Sequence, residues 1–308
     1  MKKIFLAYNS RAGDANFSRR LHSFIDIFQK DFMIEINDIV GVDIAERLEH
    51  IDTGDYSHFI VAGGDGTVNS FINALMQNEG RLPVGILPIG TSNDFATYLK
   101  LPEDFREYFR LLQNEENVRP LDVGKINDIH FINVCACGFL TSVPYETPSD
   151  LKNMFGKLAY YLKGVQKLTE LKPLPLKISA PEFELEDELC LFVILNSGRA
   201  GGFSDLVPSG RPDDGKFELL AIRYGGVYDM FTALMDAFIN KEWRSNENII
   251  FHRSDRFEVE YCGSEDLMKC DIDGEKGPAL PLSIEVVERA IPFIMDTGKM
   301  SFDYGGKL

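Results

Sequence analysis

The sequence predicts an α/β domain followed by an all-β domain: a parallel sheet covered by helices, then an antiparallel sandwich. Two observations carry this. Over the first third of the chain, short apolar runs alternate with segments of helical spacing, the pattern of a sheet buried on both faces. From about residue 120 the helical segments thin out and strand-like runs follow one another, as they do in a sandwich. A length of 308 residues accommodates two domains.

Taken in order, Ile4–Tyr8 reads as a first buried strand that breaks at Asn9-Ser10-Arg11-Ala12-Gly13. Two lysines precede it, but the run is too short for a signal-peptide core. Phe17, Leu21, Phe24, Ile25 and Phe28 have helical spacing. Phe32–Val40 reads as a strand, Ile44–Ile51 as a helix and Phe59–Ala62 as a buried strand ending in glycine. Val68–Met76 is helical again, and Val84–Leu87 is another buried strand. In the second half, strands are expected over Phe131–Cys137, Leu174–Ser179, Leu189–Asn196, Phe217–Tyr224, Asn248–Phe251, Arg256–Cys262, Leu267–Ile272 and Leu282–Val287. Helices are expected over Asp150–Leu171 and Val227–Asn240. The domains are set at residues 1–125 and 126–290, with the tail 291–308 a candidate to return to the first. Asp296–Leu308 has little periodicity.

Composition narrows the function classes. Hydrophobic residues make up 44% and charged residues 26%, which excludes collagen-like, low-complexity and disordered chains. No apolar run reaches the roughly 18–20 residues that span a bilayer. The 48 acids and 32 bases give a formal charge of −16, which argues against a nucleic-acid partner. It also argues against protein-wide attraction to anionic lipid, but leaves a local basic patch open. The five cysteines are odd in number and lack CxxC spacing, so they read as buried free thiols in a reducing cytoplasm.

The most informative segment is Gly63-Gly64-Asp65-Gly66-Thr67-Val68-Asn69, between a buried strand and a helix. Its glycines allow a tight turn and close approach of backbone to a ligand. The helix start offers unpaired N–H groups to phosphate. An acid in the middle of an anion site points to a divalent ion between them, so Asp65 suggests Mg²⁺. The alternative is a strand-to-helix turn whose glycines serve packing. A second loop, Gly90-Thr91-Ser92-Asn93-Asp94-Phe95-Ala96, follows the next strand with the same logic. Two such loops would flank the crevice at the strand ends where open α/β sheets bind ligands.

Together these loops resemble the diacylglycerol kinase catalytic domain of soluble bacterial lipid kinases. Asn9-Ser10-Arg11-Ala12-Gly13 resembles the family's first nucleotide loop, with Ser10 where the family has proline and Ala12 where it has serine. Leu121-Asp122-Val123-Gly124 matches its Asp-x-Gly step. Tyr145-Glu146-Thr147-Pro148, the stretch 159–164, Asp213-Asp214-Gly215-Lys216-Phe217 and Asp273-Gly274-Glu275 complete the set over about residues 4–295. Gly-Gly-Asp-Gly-Thr alone is shared with NAD kinases. The threonine that usually follows the second strand is missing near Asp38–Val40.

The resemblance implies an N-terminal Rossmann-like domain, a C-terminal β-sandwich and an active site in the cleft between them. It implies transfer of the ATP γ-phosphoryl group to a lipid hydroxyl, with diacylglycerol the leading acceptor and phosphatidic acid the product. Alternatives are another lipid alcohol such as phosphatidylglycerol or a sphingoid base, then NAD kinase, then a non-catalytic nucleotide- or lipid-binding regulator. By resemblance, residues 9–13, the loop 63–69, Gly90 and Thr91 contact ATP, while Asp65 and Asp122 organise catalytic Mg²⁺. Asp214, with the backbone carbonyls of Arg211 and Lys216, resembles a second, structural Mg²⁺ site. Glu275 is the candidate general base, and Asp273 joins it among the catalytic candidates. Asp271, Asp273 and Glu275 alternate as if on one strand face, where clustered acids raise one another's pKa; the alternative is that Asp273-Gly274 is a hairpin turn.

The expected helix at 150–172 sets an apolar stripe beside Lys152, Lys157, Lys163 and Lys167. With Lys172 there are five lysines against three acids over 145–172, which suits docking on an anionic membrane. An ordinary packed amphipathic helix would look the same. The expected location is cytoplasmic, with transient association at the inner membrane face, and a second copy of the chain is a candidate partner.

Overall fold

A computed structural model describes residues 2–12, 16–78, 82–138, 171–203, 206–263 and 269–299. In the first domain, strands β1 (Lys2–Tyr8), β2 (Phe32–Asp38), β3 (Tyr56–Gly63) and β4 (Val84–Pro88) pair in the order β2-β1-β3-β4. Every pair is parallel; Leu6 lies between Ile36 and Ile60, and Ile60 is opposite Gly85. The connecting helices are α1 (Asn16–Phe28), α2 (Ile44–Glu49) and α3 (Asp65–Met76). After β4 come α4 (Asp94–Tyr98) and α5 (Phe105–Leu112). Asp43 and Asp104 cap α2 and α5, accepting hydrogen bonds from first-turn N–H groups.

Helices cover both faces of this sheet, as the alternation of runs predicts. On β1, Tyr8 meets Phe17 of α1, whereas Phe5 meets Phe71 of α3. Residues three apart on a strand point to opposite faces. Phe24 stacks on Phe28 and meets Phe105 edge-on, which joins α1 to α5.

In the second half, the described strands pair with one another antiparallel. Its strands are β5 (Val118–Ile126), β6 (Ile129–Phe131), β7 (Val134–Gly138), β8 (Leu174–Ala180) and β9 (Phe183–Leu195). They continue with β10 (Phe217–Arg223), β11 (Ile249–Ser254), β12 (Arg256–Tyr261), β13 (Lys269–Ile272), β14 (Glu275–Ala279) and β15 (Leu282–Ile294). Alternation along β7 sorts its side chains between two cores. Cys135 and Cys137 pack with Ile194 and Phe192, while Ala136 packs with Val193 beneath α6 (Val227–Met235). All five cysteines are free.

β15 connects the two halves. Its first residues pair with β12, its length pairs with β5, and at Phe293 it runs parallel to β4 opposite Val84. Ile291, Phe293, Ile294 and Met295 lie in the core of the first domain.

Several elements differ from expectation. Spacing alone does not predict the helix α5 or the strand β5. The strand expected over Phe131–Cys137 is interrupted at Ile132-Asn133, whose N–H groups turn toward Asp273 instead of a neighbouring strand. The helix expected to run to Asn240 is α-helical to Met235 and finishes as one π-helical turn, Asp236–Asn240. The expected helix at 150–171, the motifs at 145–148 and 159–164, and residues 300–308 of the tail lie outside the described residues, Leu171 excepted. Among the described residues no helix is long and apolar enough to cross a membrane.

Candidate active site

The two glycine loops lie side by side at the ends of β3 and β4. Ile89 N–H donates to the Gly63 carbonyl at 3.2 Å. A Cβ on Gly64 would sit 3.2 Å from the Gly90 Cα, so glycine here permits backbone to touch backbone. Asn93, with φ of 49°, closes the second loop on itself: its Oδ1 accepts from Gly90 N–H at 2.8 Å and its Nδ2 donates to Gly90 O at 2.7 Å. No side chain caps α3, so the first-turn N–H groups of Asp65, Gly66 and Thr67 keep the donor capacity expected of a phosphate site. Thr91 is exposed on the second loop.

The first loop is tied to the same place. Asn9 N–H donates to Ala62 O at 3.0 Å, and Asn9 Nδ2 donates to Thr67 Oγ1 at 3.1 Å. Asn9 Oδ1 accepts from Arg11 N–H at 2.9 Å, and Asp38 accepts from Ser10 N–H at 3.3 Å. Ala12 N–H donates to Asn9 O at 3.1 Å, completing the turn. Gly13 lies outside the described residues.

Asp65 opens α3, and burial pushes its carboxyl above the usual range. Its Oδ2 accepts from Asp94 N–H at 3.2 Å. The Asp94 carboxylate is buried and gripped from the second domain. It accepts Arg199 Nε at 3.2 Å, and Gly202 N–H reaches both its oxygens at 3.0 Å.

Glu275 comes from the second domain to the start of α3. A Cβ on Gly66 would collide with its carboxylate. It is the first residue of β14, paired with Ile272, because Asp273-Gly274 is the turn of a two-residue hairpin. Both turn residues have positive φ, 51° and 86°, as a primed turn requires. Asp271, Asp273 and Glu275 therefore do not share a strand face: the turn stands between them, and the alternation is that of a hairpin tip.

Asp273 is buried and fully engaged. Its carboxylate accepts Ile132 N–H at 2.6 Å, Asn133 and Val134 N–H at 2.9 Å, and Asn69 Nδ2 at 2.7 Å. Burial raises its pKa to about 6 against these four donors. Asn69 thus faces the second domain, and Val68 is buried with its N–H spent on Gly64 O at 3.0 Å.

Asp122 lies where β15 bulges between Val287 and Ile291. It accepts Arg289 N–H at 2.7 Å and Gly215 N–H at 2.8 Å, and burial raises its pKa. Among the described residues its carboxylate joins β15 to the turn at 212–215, not to Asp65. In that turn, Asp214 pairs with Arg253 and accepts Lys216 N–H at 3.2 Å. Arg253 also pairs with Glu218 at 3.0 Å. Glu218 is wholly buried, its Oε2 has no hydrogen-bond partner, and burial lifts its pKa to about 8. The Arg211 side chain is held by Asp213 at 3.0 Å.

Sequence reasoning leaves four of these residues without a role: Asp94, Arg199, Asn133 and Glu218. Asp94 is visible within the second loop but reads there as a first-turn acid. The other three have no local signal. Among the described residues no cluster of three or more His, Cys, Asp or Glu is arranged to hold a metal. A hard cation would instead find the Asp65 carboxylate at an uncapped helix start; the Asp94 carboxylate is already engaged by Arg199 and Gly202.

Comparison with known proteins gives the same architecture. Residues 3–126 match the diacylglycerol kinase catalytic domain, and residues 140–295 match the YegS C-terminal NAD kinase beta sandwich-like domain. The chain is 30% identical to a diacylglycerol kinase of Bacillus subtilis (strain 168), over 97% of this chain and 98% of that one. It is 33% identical to a diacylglycerol kinase of Staphylococcus haemolyticus, over 77% of this chain and 70% of that one. A crystal structure of a diacylglycerol kinase from Bacillus anthracis superposes with a TM-score of 0.73 at 26% identity, covering 97% of this chain and 99% of the other.

Proposed function

The chain belongs to the diacylglycerol kinase family, and from that premise we propose that its cleft transfers the γ-phosphoryl group of ATP to the hydroxyl of diacylglycerol, giving phosphatidic acid and ADP. The observation that carries this reading is the meeting of Glu275 with Gly66. A carboxylate from the sandwich domain lies against a glycine loop at the start of α3, beside Asp65. Phosphoryl transfer needs a cradle for phosphate, neutralised charge and a base near the acceptor oxygen more than it needs covalent help.

The roles follow from placement. The first-turn N–H groups of α3 and the turn at Gly90-Thr91 bind phosphate oxygens. Asn9 orders the first loop through Thr67. Glu275, exposed in the cleft, accepts the proton of the lipid hydroxyl as that oxygen bonds to the γ-phosphorus. The bond from the γ-phosphorus to the bridging oxygen breaks, and ADP leaves with that oxygen. Asp65 would hold Mg²⁺, which neutralises phosphate charge when bound, and Asp94 N–H orients its carboxylate. Asp273 and Asp122 act through the backbone they pin, Asp273 by fixing the hairpin that carries Glu275. Asp214, with the carbonyls of Arg211 and Lys216, would hold a second Mg²⁺; the partnerless oxygen of Glu218 nearby supports a cation there. Docking on an anionic membrane rests on Lys152, Lys157, Lys163 and Lys167, which lie outside the described residues.

The test is transfer of label from γ-labelled ATP to dispersed lipids, with the products separated by chromatography. Labelled phosphatidic acid is expected. Label on phosphatidylglycerol or a sphingoid base alone would change the acceptor, and no labelled lipid would sink the reading.

A further inference from the structure

The groups assigned to the reaction are joined by a circuit of direct contacts that runs out of the first domain and back. Asp94 N–H donates to Asp65 at 3.2 Å. Arg199 Nε donates to Asp94 at 3.2 Å. The Arg199 carbonyl accepts Asn133 Nδ2 at 2.8 Å, and Asn133 N–H donates to Asp273 at 2.9 Å. Asp273 begins the turn that delivers Glu275, and Glu275 lies against Gly66, the neighbour of Asp65. The Asp94–Arg199 link is the one ion pair in this circuit, and it crosses the two domains.

The turn that carries Arg199 is shaped for that contact. Gly201 and Gly202 have φ of 58° and 77°. A Cβ on Gly202 would meet nothing within 4 Å, so glycine is needed there for conformation and not for space. That conformation aims Gly202 N–H at both oxygens of Asp94. Ser197 Oγ accepts Arg199 N–H at 3.3 Å and donates to Asn133, which roots the turn in the sandwich. A buried carboxylate held by a guanidinium and a backbone N–H has little freedom to rotate. Its own N–H then fixes the Asp65 carboxylate.

We propose that Arg199 is a positioning residue for phosphoryl transfer, gripping Asp94 from the sandwich domain so that Asp65 and Glu275 keep a fixed separation across the cleft. The proposal rests on the roles given above to Asp65 and Glu275. Misplacement of reacting groups by about 1 Å costs on the order of 100-fold in rate, so the effect belongs in kcat.

The test is a double-mutant cycle of Arg199→Gln and Asp94→Asn, with Arg199→Lys as the conservative variant, read by lipid-kinase kinetics and by thermal unfolding. Arg199→Gln is expected to lower kcat about 10- to 100-fold with the KM for ATP within about threefold of wild type. The double variant is expected to be no slower than the worse single one, and Arg199→Lys to recover part of kcat. Losses that multiply in the double variant, or a loss confined to KM, would overturn the proposal. If wild type phosphorylates no lipid, the functional reading fails and the positioning role fails with it; if wild type is active, additive melting shifts for the pair would overturn the clamp alone. If Asp65→Ala keeps its turnover, the role of Asp65 fails, while the cycle still decides whether Arg199 acts through Asp94.

Discussion

Asp65 and Asp214 carry the same expectation, a magnesium ion, in different surroundings. Asp65 opens an uncapped helix and is met by the backbone N–H of Asp94; among the described residues no cationic side chain pairs with it. Asp214 sits in a turn where Arg253 already pairs with it and also with the buried Glu218. A buried acid is costly unless something compensates its charge. At Asp214 the chain itself supplies that cation, so the acid contributes to the fold with or without metal. At Asp65 the chain supplies only backbone N–H groups, those of Asn93, Asp94 and Phe95 at the start of α4, and a full positive charge is left to whatever binds there, which suits a working site. The contrast predicts that removing Asp65 removes chemistry and spares the fold, and that removing Asp214 does the reverse.

The largest expected effect is that of Asp65→Ala. Turnover is expected to fall by about 10³-fold or more, since phosphate and its neutralising charge lose their common partner, while the melting temperature falls only slightly, because Asp94 N–H loses its acceptor. Near-normal turnover would refute the role, and a large fall in melting temperature would make Asp65 a structural acid like Asp214. Next in size is Glu275→Gln. Loss of the base is expected to cost about 10²-fold in kcat, with ATP affinity by calorimetry unchanged; an undiminished kcat would remove Glu275 from that position. Gly66→Ala is smaller in effect. The added methyl pushes the Glu275 carboxylate aside, and because that side chain is exposed and can move, a loss of about tenfold in kcat is expected. Full activity would show that the contact is incidental.

What is legible in the sequence divides along the same line. The glycine loops can be read because their chemistry is local: strand end, glycines, one acid and helix start fall within a few residues, and so does the turn at Asp273-Gly274. The parallel and antiparallel halves are legible from the spacing of apolar runs. The alternation at Asp271, Asp273 and Glu275 misleads because a hairpin with a two-residue turn and a strand can share the same pattern of residues. Arg199 and Asp94 are 105 residues apart, and Asn133 and Asp273 are 140 apart. No spacing rule reaches across such distances, so the ring that ties the two domains emerges only once the chain is folded. The buried Glu218 escapes for a related reason: it sits in an apolar strand, and its partner Arg253 comes from the next strand of the sheet.

The smallest expected effect on turnover, and the largest on stability, is that of Asp214→Ala. Arg253 then keeps Glu218 at 3.0 Å but loses its other carboxylate, and Lys216 N–H loses its acceptor. Leaving such partners unmet costs about 1–3 kcal/mol, since the pair is only partly screened by solvent. Unfolding should therefore begin at lower denaturant, while kcat at saturating magnesium falls less than threefold. The same variant separates the two roles of this acid. If Asp214 holds a cation, wild type gains melting temperature as magnesium is added without nucleotide, and Asp214→Ala loses most of that gain. If Asp214 serves only to anchor Arg253, both proteins respond to magnesium alike and differ by a constant offset. An offset alone would strip the turn at 211–216 of its metal, making Asp65 the remaining acid of the two from which a magnesium requirement could arise.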